Sequence, residues 1–171
     1  MDIPAKSDYA VRAMLALAEL AQEEGGFRSA ASGKGSDSAD ADQLATVEQL
    51  ADRQGLPRKF LEAILRDLRR SGLVRTRRGA RGGYSLAMAP TEITIGMILR
   101  AVDGPLAEVR GLRPHETSYV GAAENLPTLW VAVRSALREV LDTTTLEQVR
   151  TGRLSARVRR LAEAPDAWES R

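Results

Sequence analysis

The stretch LPRKFLEAILRDLRRSGLVRTRRGARGGYSLA, residues 56–87, changes its period partway along. Pro57 opens a helix at the position where a missing N–H costs nothing. Phe60, Leu61, Ile64, Leu65 and Leu68 then recur at helical spacing and give that helix an apolar face, before Ser71-Gly72 stop it. Beyond Gly72 the composition becomes strand-like, with Val74-Arg75-Thr76-Arg77 and Tyr84-Ser85-Leu86-Ala87 flanking the turn Arg78-Gly79-Ala80-Arg81-Gly82-Gly83. A turn that needs positive φ accounts for Gly79, Gly82 and Gly83. A nucleotide loop would need strand, loop and helix in that order with a Walker lysine, and neither is present. Tyr84 reads as an aromatic packed in the hairpin, with stacking on a base as the other option.

Upstream, Thr46-Val47-Glu48-Gln49 fits a capping box and starts a short helix that ends at Gln54-Gly55. That helix, the Gly55-Leu56 link and the helix after Pro57 form a helix-turn-helix candidate. Residues 7–22 predict an earlier helix, with Ala10, Met14, Leu17 and Ala21 at helical spacing and Ser7 as N-cap. Between them, residues 24–42 are rich in Gly, Ser, Ala and Asp with almost nothing to bury, which predicts a flexible insertion.

Downstream, Thr94 to Asp103 predicts a helix with Ile95, Ile98, Leu99 and Val102 inward, ended by Gly104-Pro105. Residues 106–125 show no clean period. A long helix follows from about Pro127 to Leu141, with Trp130, Val133, Leu137 and Val140 on one stripe that has few partners within a monomer. Leu146 to Ala164 predicts one or two short helices. The expected fold is mainly α with a small β-hairpin wing: a winged helix-turn-helix in 1–90, a connecting helix and effector loop in 91–125, and a dimerisation helix with a C-terminal segment in 126–171.

The net charge of +2 conceals an asymmetry. Residues 1–55 carry ten acids and five bases, whereas residues 56–85 carry nine bases and two acids. Positive charge gathered in one block marks a polyanion-binding surface, and here it falls where a winged helix faces DNA. Arg58 and Lys59 lie on the first turn of the helix that would enter the major groove, as base-reading candidates. Arg75, Arg77, Arg78 and Arg81 lie on the hairpin, placed to follow phosphates or enter a narrow minor groove. Arg66, Arg69 and Arg70 read as solvated-face or backbone contacts. Arg150, Arg153, Arg157, Arg159 and Arg160 either extend that footprint or complement acids of the same subunit.

With no cysteine and one histidine, the chain lacks the groups for thiolate catalysis, disulfides, zinc-thiolate sites and hydrolytic triads, so an enzyme is not expected. No apolar run approaches the roughly 20 residues that span a bilayer, and the N-terminus lacks a secretory apolar stretch, which predicts a cytoplasmic protein.

Ser7-Asp8-Tyr9-Ala10-Val11-Arg12-Ala13-Met14, Leu56-Pro57-Arg58-Lys59-Phe60-Leu61-Glu62, Gly72 to Gly79 and Gly82-Gly83-Tyr84-Ser85-Leu86-Ala87 together resemble the Rrf2 family of bacterial transcription regulators. Ile95-Gly96-Met97-Ile98 and Ala101-Val102-Asp103-Gly104 continue the likeness. The resemblance implies a homodimer whose long helices cross, presenting two winged domains to double-stranded DNA at a pseudo-palindromic operator, in a repressor's role. It implies that Lys59 and Glu62 meet bases and that Arg78 enters the minor groove. Many members hold an iron–sulfur cluster through three cysteines in the loop after the fourth helix. Val109 to Asn125 here contains none, so that sensing chemistry does not transfer and no cofactor is expected. His115, with Glu116 and Glu124, reads as a metal ligand, a pH-responsive group or a solvated side chain. Trp130 reads as dimer core or as the wall of a small-molecule effector pocket between subunits. The competing function is a winged-helix adaptor that binds protein rather than specific DNA.

Overall fold

The computed structural model of the chain describes residues 2–23, 44–79 and 82–169. The insertion expected over residues 24–42 and the wing position Arg81 lie outside the described residues. The elements run α1 (Ala5–Glu23), α2 (Val47–Gln54), α3 (Arg58–Arg70), β1 (Val74–Arg77), β2 (Gly83–Leu86), α4 (Ile95–Asp103), two 3-10 turns at Pro114–Glu116 and Gly121–Ala123, α5 (Leu126–Leu141), α6 (Leu146–Thr151) and α7 (Ala156–Ala162). This is the mainly helical winged-helix architecture that the sequence predicts.

The core gathers around α1, which buries Ala10, Ala13, Met14, Ala16, Leu17, Ala18 and Leu20. Its alanines let α2, α3, α4 and α6 all pack against it. Ser7 is not its cap. The helix begins earlier, at Ala5, where the Pro4 carbonyl accepts the N–H groups of Ser7 and Asp8 at 2.9 and 3.2 Å. Ser7 is buried instead, and its hydroxyl donates to the Asp103 carboxylate at the end of α4. A residue type that reads as a cap therefore serves as a tie between two helices.

α2 starts with the full capping box at Thr46 and ends at Gly55, whose φ of 61° is left-handed. Pro57 stands one residue outside α3, as its N-cap. α3 buries Leu61, Ile64, Leu65 and Leu68, each contributing about 1.5–3 kcal/mol of apolar burial. Phe60, expected on that face, is 61% exposed. It lies roughly 100° around the helix from Leu61, outside the arc that the other four residues cover.

The strands pair antiparallel with Val74 opposite Leu86 and Arg77 opposite Gly83. Only Gly79 of the three turn glycines has positive φ, at 116°. The other two are needed for close approach: a Cβ on Gly82 would strike the Arg77 carbonyl, and one on Gly83 would lie 2.8 Å from the Ala45 carbonyl. Ala45 and Tyr84 exchange backbone hydrogen bonds at 2.9 Å each way, and the Tyr84 ring is half-buried against the core. The wing is thereby fastened to the residue that precedes α2.

α4 starts from Thr94, which accepts from the Met97 N–H, and buries Ile98 and Val102, with Ile95 and Leu99 half-buried. α5 has no buried residue. Trp130, Val133, Leu137 and Val140 are half-buried, while Leu129 and Val131 are 51% and 42% exposed. The segment that follows α5 is joined to the start of α4 and the residues before it by hydrogen bonds from the Ile95 N–H to the Thr144 carbonyl (2.9 Å) and from the Leu146 N–H to the Ile93 carbonyl (2.8 Å).

Candidate nucleic-acid interface

Because Leu61, Ile64, Leu65 and Leu68 hold α3 down, the opposite side of the helix is fixed as well. At about 100° per residue, Lys59, Glu62, Arg66 and Arg70 point away from that buried face, and all four are exposed. Arg58 lies toward one flank, 3.7 Å from the Glu48 carboxylate of α2. Lys59 and Glu62 make no ion pair or side-chain hydrogen bond among the described residues, so Glu62 does not face a neighbouring arginine in this state. Arg70 sits 3.7 Å from Asp67, which is also 2.9 Å from Lys6 of α1. Asp67 thus anchors the inner edge of α3 while the outer face stays basic.

On the wing, Arg75 turns back to donate to the Ala87 carbonyl at 3.0 Å, stapling the open end of the hairpin. Arg77 and Arg78 are exposed at the other end, next to the Gly79 turn. Arg78 makes no hydrogen bond or ion pair with any described residue and follows directly after β1. The structure brings Arg58, Lys59 and Glu62 together on the first two turns of α3, and sets Arg77 and Arg78 at the hairpin tip. Phe60, exposed beside Lys59, is the residue that sequence reasoning assigned to the core. Its offset from the Leu61-Ile64-Leu65-Leu68 arc was the available signal.

The C-terminal arginines divide. Arg150 forms two hydrogen bonds to Glu147 at 2.7 and 2.8 Å, and these hold the Glu147 carboxyl below the usual range against a smaller opposing effect of burial. Arg157 pairs with Glu139 at 3.0 Å. Both complement acids of their own subunit, while Arg153, Arg159 and Arg160 are exposed.

In the loop before α5, His115 is exposed, with Nε2 3.9 Å from Glu116 and Nδ1 3.4 Å from a guanidinium nitrogen of Arg134. The Trp130 indole N–H is buried and has no hydrogen-bond partner among the described residues.

Comparison with known proteins follows the same geometry. The family profile described as "Rrf2: Iron-dependent Transcriptional regulator" matches residues 37–151. The chain is 41% identical over 170 residues to a Mycobacterium tuberculosis (strain H37Rv) protein named as an HTH-type transcriptional regulator, covering 99% of this chain and 94% of that one. It is 38% identical over 104 residues to the HTH-type transcriptional regulator CymR of Bacillus subtilis, covering 61% of this chain and 70% of that one. Solved structures are similar as well. CymR, the global cysteine regulator of B. subtilis, has a TM-score of 0.63 at 30% identity, covering 89% of this chain and 98% of that one. IscR of T. potens has a TM-score of 0.62 at 28% identity, covering 90% and 88%. The iron in the profile's description finds no fitting donor set here. The chain has no cysteine, no three His, Asp or Glu groups converge among the described residues, and the one histidine faces a cation.

Proposed function

The chain belongs to the Rrf2 family and is a DNA-binding transcription regulator rather than an enzyme, and on that premise we propose that it acts as a homodimeric repressor at a pseudo-palindromic operator. The observation that carries this reading is the outer face of α3, where Lys59 and Glu62 are exposed and unpaired among the described residues while the opposite face is locked in the core. A rigid helix with polar groups on its first turns suits insertion into the major groove, Lys59 and Glu62 meeting base edges and Arg58 a phosphate. Arg78 enters the adjacent minor groove from the wing tip, and Arg75 and Arg77 follow the backbone, with Arg81 assigned to the same role.

The dimer assembles through α5. A sixteen-residue helix with no buried residue, a half-buried stripe of Trp130, Val133, Leu137 and Val140, and exposed Leu129 and Val131 fits a second copy crossing it. Residues 1–90 serve as the DNA-binding unit, 91–125 as connector and effector loop, and 126–171 as the dimerisation part. The protein works in the cytoplasm, beside the genome, without a cluster. A small effector reaches it near His115 and the Trp130 end of α5, where the indole N–H lacks a partner. Selection of bound sequences from random DNA tests the reading. It is expected to enrich an inverted repeat with half-site centres about one helical turn, roughly 34 Å, or a multiple apart. Enrichment of no motif would return the adaptor reading.

A further inference from the structure

Between the end of α4, the loop after it and α5 lies a cavity of about 520 Å³. Four guanidinium groups line it, from Arg100, Arg113, Arg134 and Arg138, against the single carboxylate of Asp142. A second cavity of about 530 Å³ adjoins it and shares Arg134, Arg138 and Asp142. Asp142 is already engaged twice, by Arg100 at 2.7 Å and by Arg138 at 3.2 Å. Arg134 contacts only the ring nitrogen of His115, at 3.4 Å, and the Arg113 guanidinium has no acidic partner among the described residues. The nearby acids are committed elsewhere, Glu139 to Arg157 and Glu116 to the Arg113 backbone N–H and His115. Four guanidinium groups against one carboxylate leave a net charge of +3 around one concave space, with Arg113 and Arg134 lacking any acidic partner among the described residues.

Guanidinium forks match carboxylate and phosphate oxygens in pairs, and a volume of this order holds a small molecule rather than a polymer. None of the lining residues belongs to α3 or the wing, so the cavity is not part of the surface assigned to DNA. Leu106 supplies an apolar wall for a carbon skeleton. Its walls also come from two parts of the molecule: Arg100 rides on α4, which packs on α1 and α3, while Arg134 and Arg138 belong to α5. We propose that this cavity binds a small organic polyanion, bearing at least two carboxylates or a phosphate, and that its occupancy alters operator affinity by drawing α4 and α5 together. The regulatory half rests on the reading of the chain as an operator-binding dimer; the binding half does not.

Calorimetry on the full chain without DNA, at constant ionic strength, uses citrate and a sugar phosphate as probes and chloride as control. One saturable site per chain is expected for at least one probe, and which of them binds distinguishes carboxylate from phosphate recognition. Arg134→Ala and Arg113→Lys, the latter keeping the charge but losing the fork, each weaken that site about tenfold, while Arg159→Ala on exposed α7 does not. No saturable binding, or equal weakening by Arg159→Ala, overturns the site. The binding probe is then added to an operator titration. A change in affinity of at least about threefold is expected, and an unchanged affinity overturns the coupling. Failure of the probe-free protein to bind any operator would count against the regulator reading and leave the calorimetric result standing.

Discussion

Asp142 holds two helices with one carboxylate. Burial pushes its pKa up, but the hydrogen bonds and charges of Arg100 and Arg138 outweigh that and leave it below the ordinary value. Gly96 of α4 exists for the same contact, since a Cβ there would strike the Asp142 carboxylate. A folded-state pKa below the unfolded one adds stability above the unfolded pKa, about 3.9, and that stability is lost as pH falls through the lowered folded value. Asp142→Asn is expected to reduce stability at pH 7 by about 1–2 kcal/mol, after discounting for the partly exposed arginines. In urea titrations the gap from the parent should narrow progressively as pH falls from about 4 through that lowered value; a gap that does not change with pH across this range contradicts the assignment. Phe60 and Leu61 are adjacent, yet Leu61→Ala should cost about 2–5 kcal/mol and Phe60→Ala under about 1 kcal/mol, because only Leu61 is buried. Lys59→Ala and Arg78→Ala should each weaken operator binding by about 1–3 kcal/mol if they meet bases. If either meets only phosphate, the loss is smaller, equal for all sequences, and flattens the salt slope by about one. Residue types alone misassigned Ser7, Phe60 and the paired glycines Gly82 and Gly83, because in each case a neighbour distant in sequence decides the role: Asp103 for Ser7, the arc around Leu61 for Phe60, and the Arg77 and Ala45 carbonyls for the glycines.

Elements were readable wherever the signal is local. The capping box at Thr46 and the left-handed stop at Gly55 are written within four residues of where they act, whereas the caps at Thr145 and Ser155, equally local, go unread in a region that predicts only one or two short helices. The loop between α4 and α5 was not readable. Its left-handed Ala107 (φ 56°) and Arg110 (φ 54°), the Val109–Leu112 bridge and two 3-10 turns carry no repeating pattern, and the Pro114–Glu116 turn is placed by packing against α5. α5 itself was visible as a stripe, and its incomplete burial is what makes the stripe consequential. Leu137→Glu is expected to yield a monomer that still unfolds cooperatively, since Leu137 is half-buried and sits outside the core around α1. Light scattering at micromolar concentration checks this; a variant that stays dimeric, or a parent that is monomeric, contradicts the role of α5.

Across the whole molecule, the basic block of residues 56–85 folds onto one surface, carried by α3 and the wing. The core around α1 fixes α3 and the wing as a basic surface, while α5 and the loop before it stand outside that core and carry the proposed assembly and effector roles. The basic surface is expected to read sequence. The direct measurement is fluorescence anisotropy of the full chain with the DNA upstream of its own gene, against a scrambled duplex of the same length, from 50 to 200 mM salt. Two protomers per duplex, affinity on the order of 10³-fold or more above the scrambled duplex, and a steep linear fall of log K with log salt are expected. Equal affinity for both duplexes, or one protomer per duplex, would contradict it.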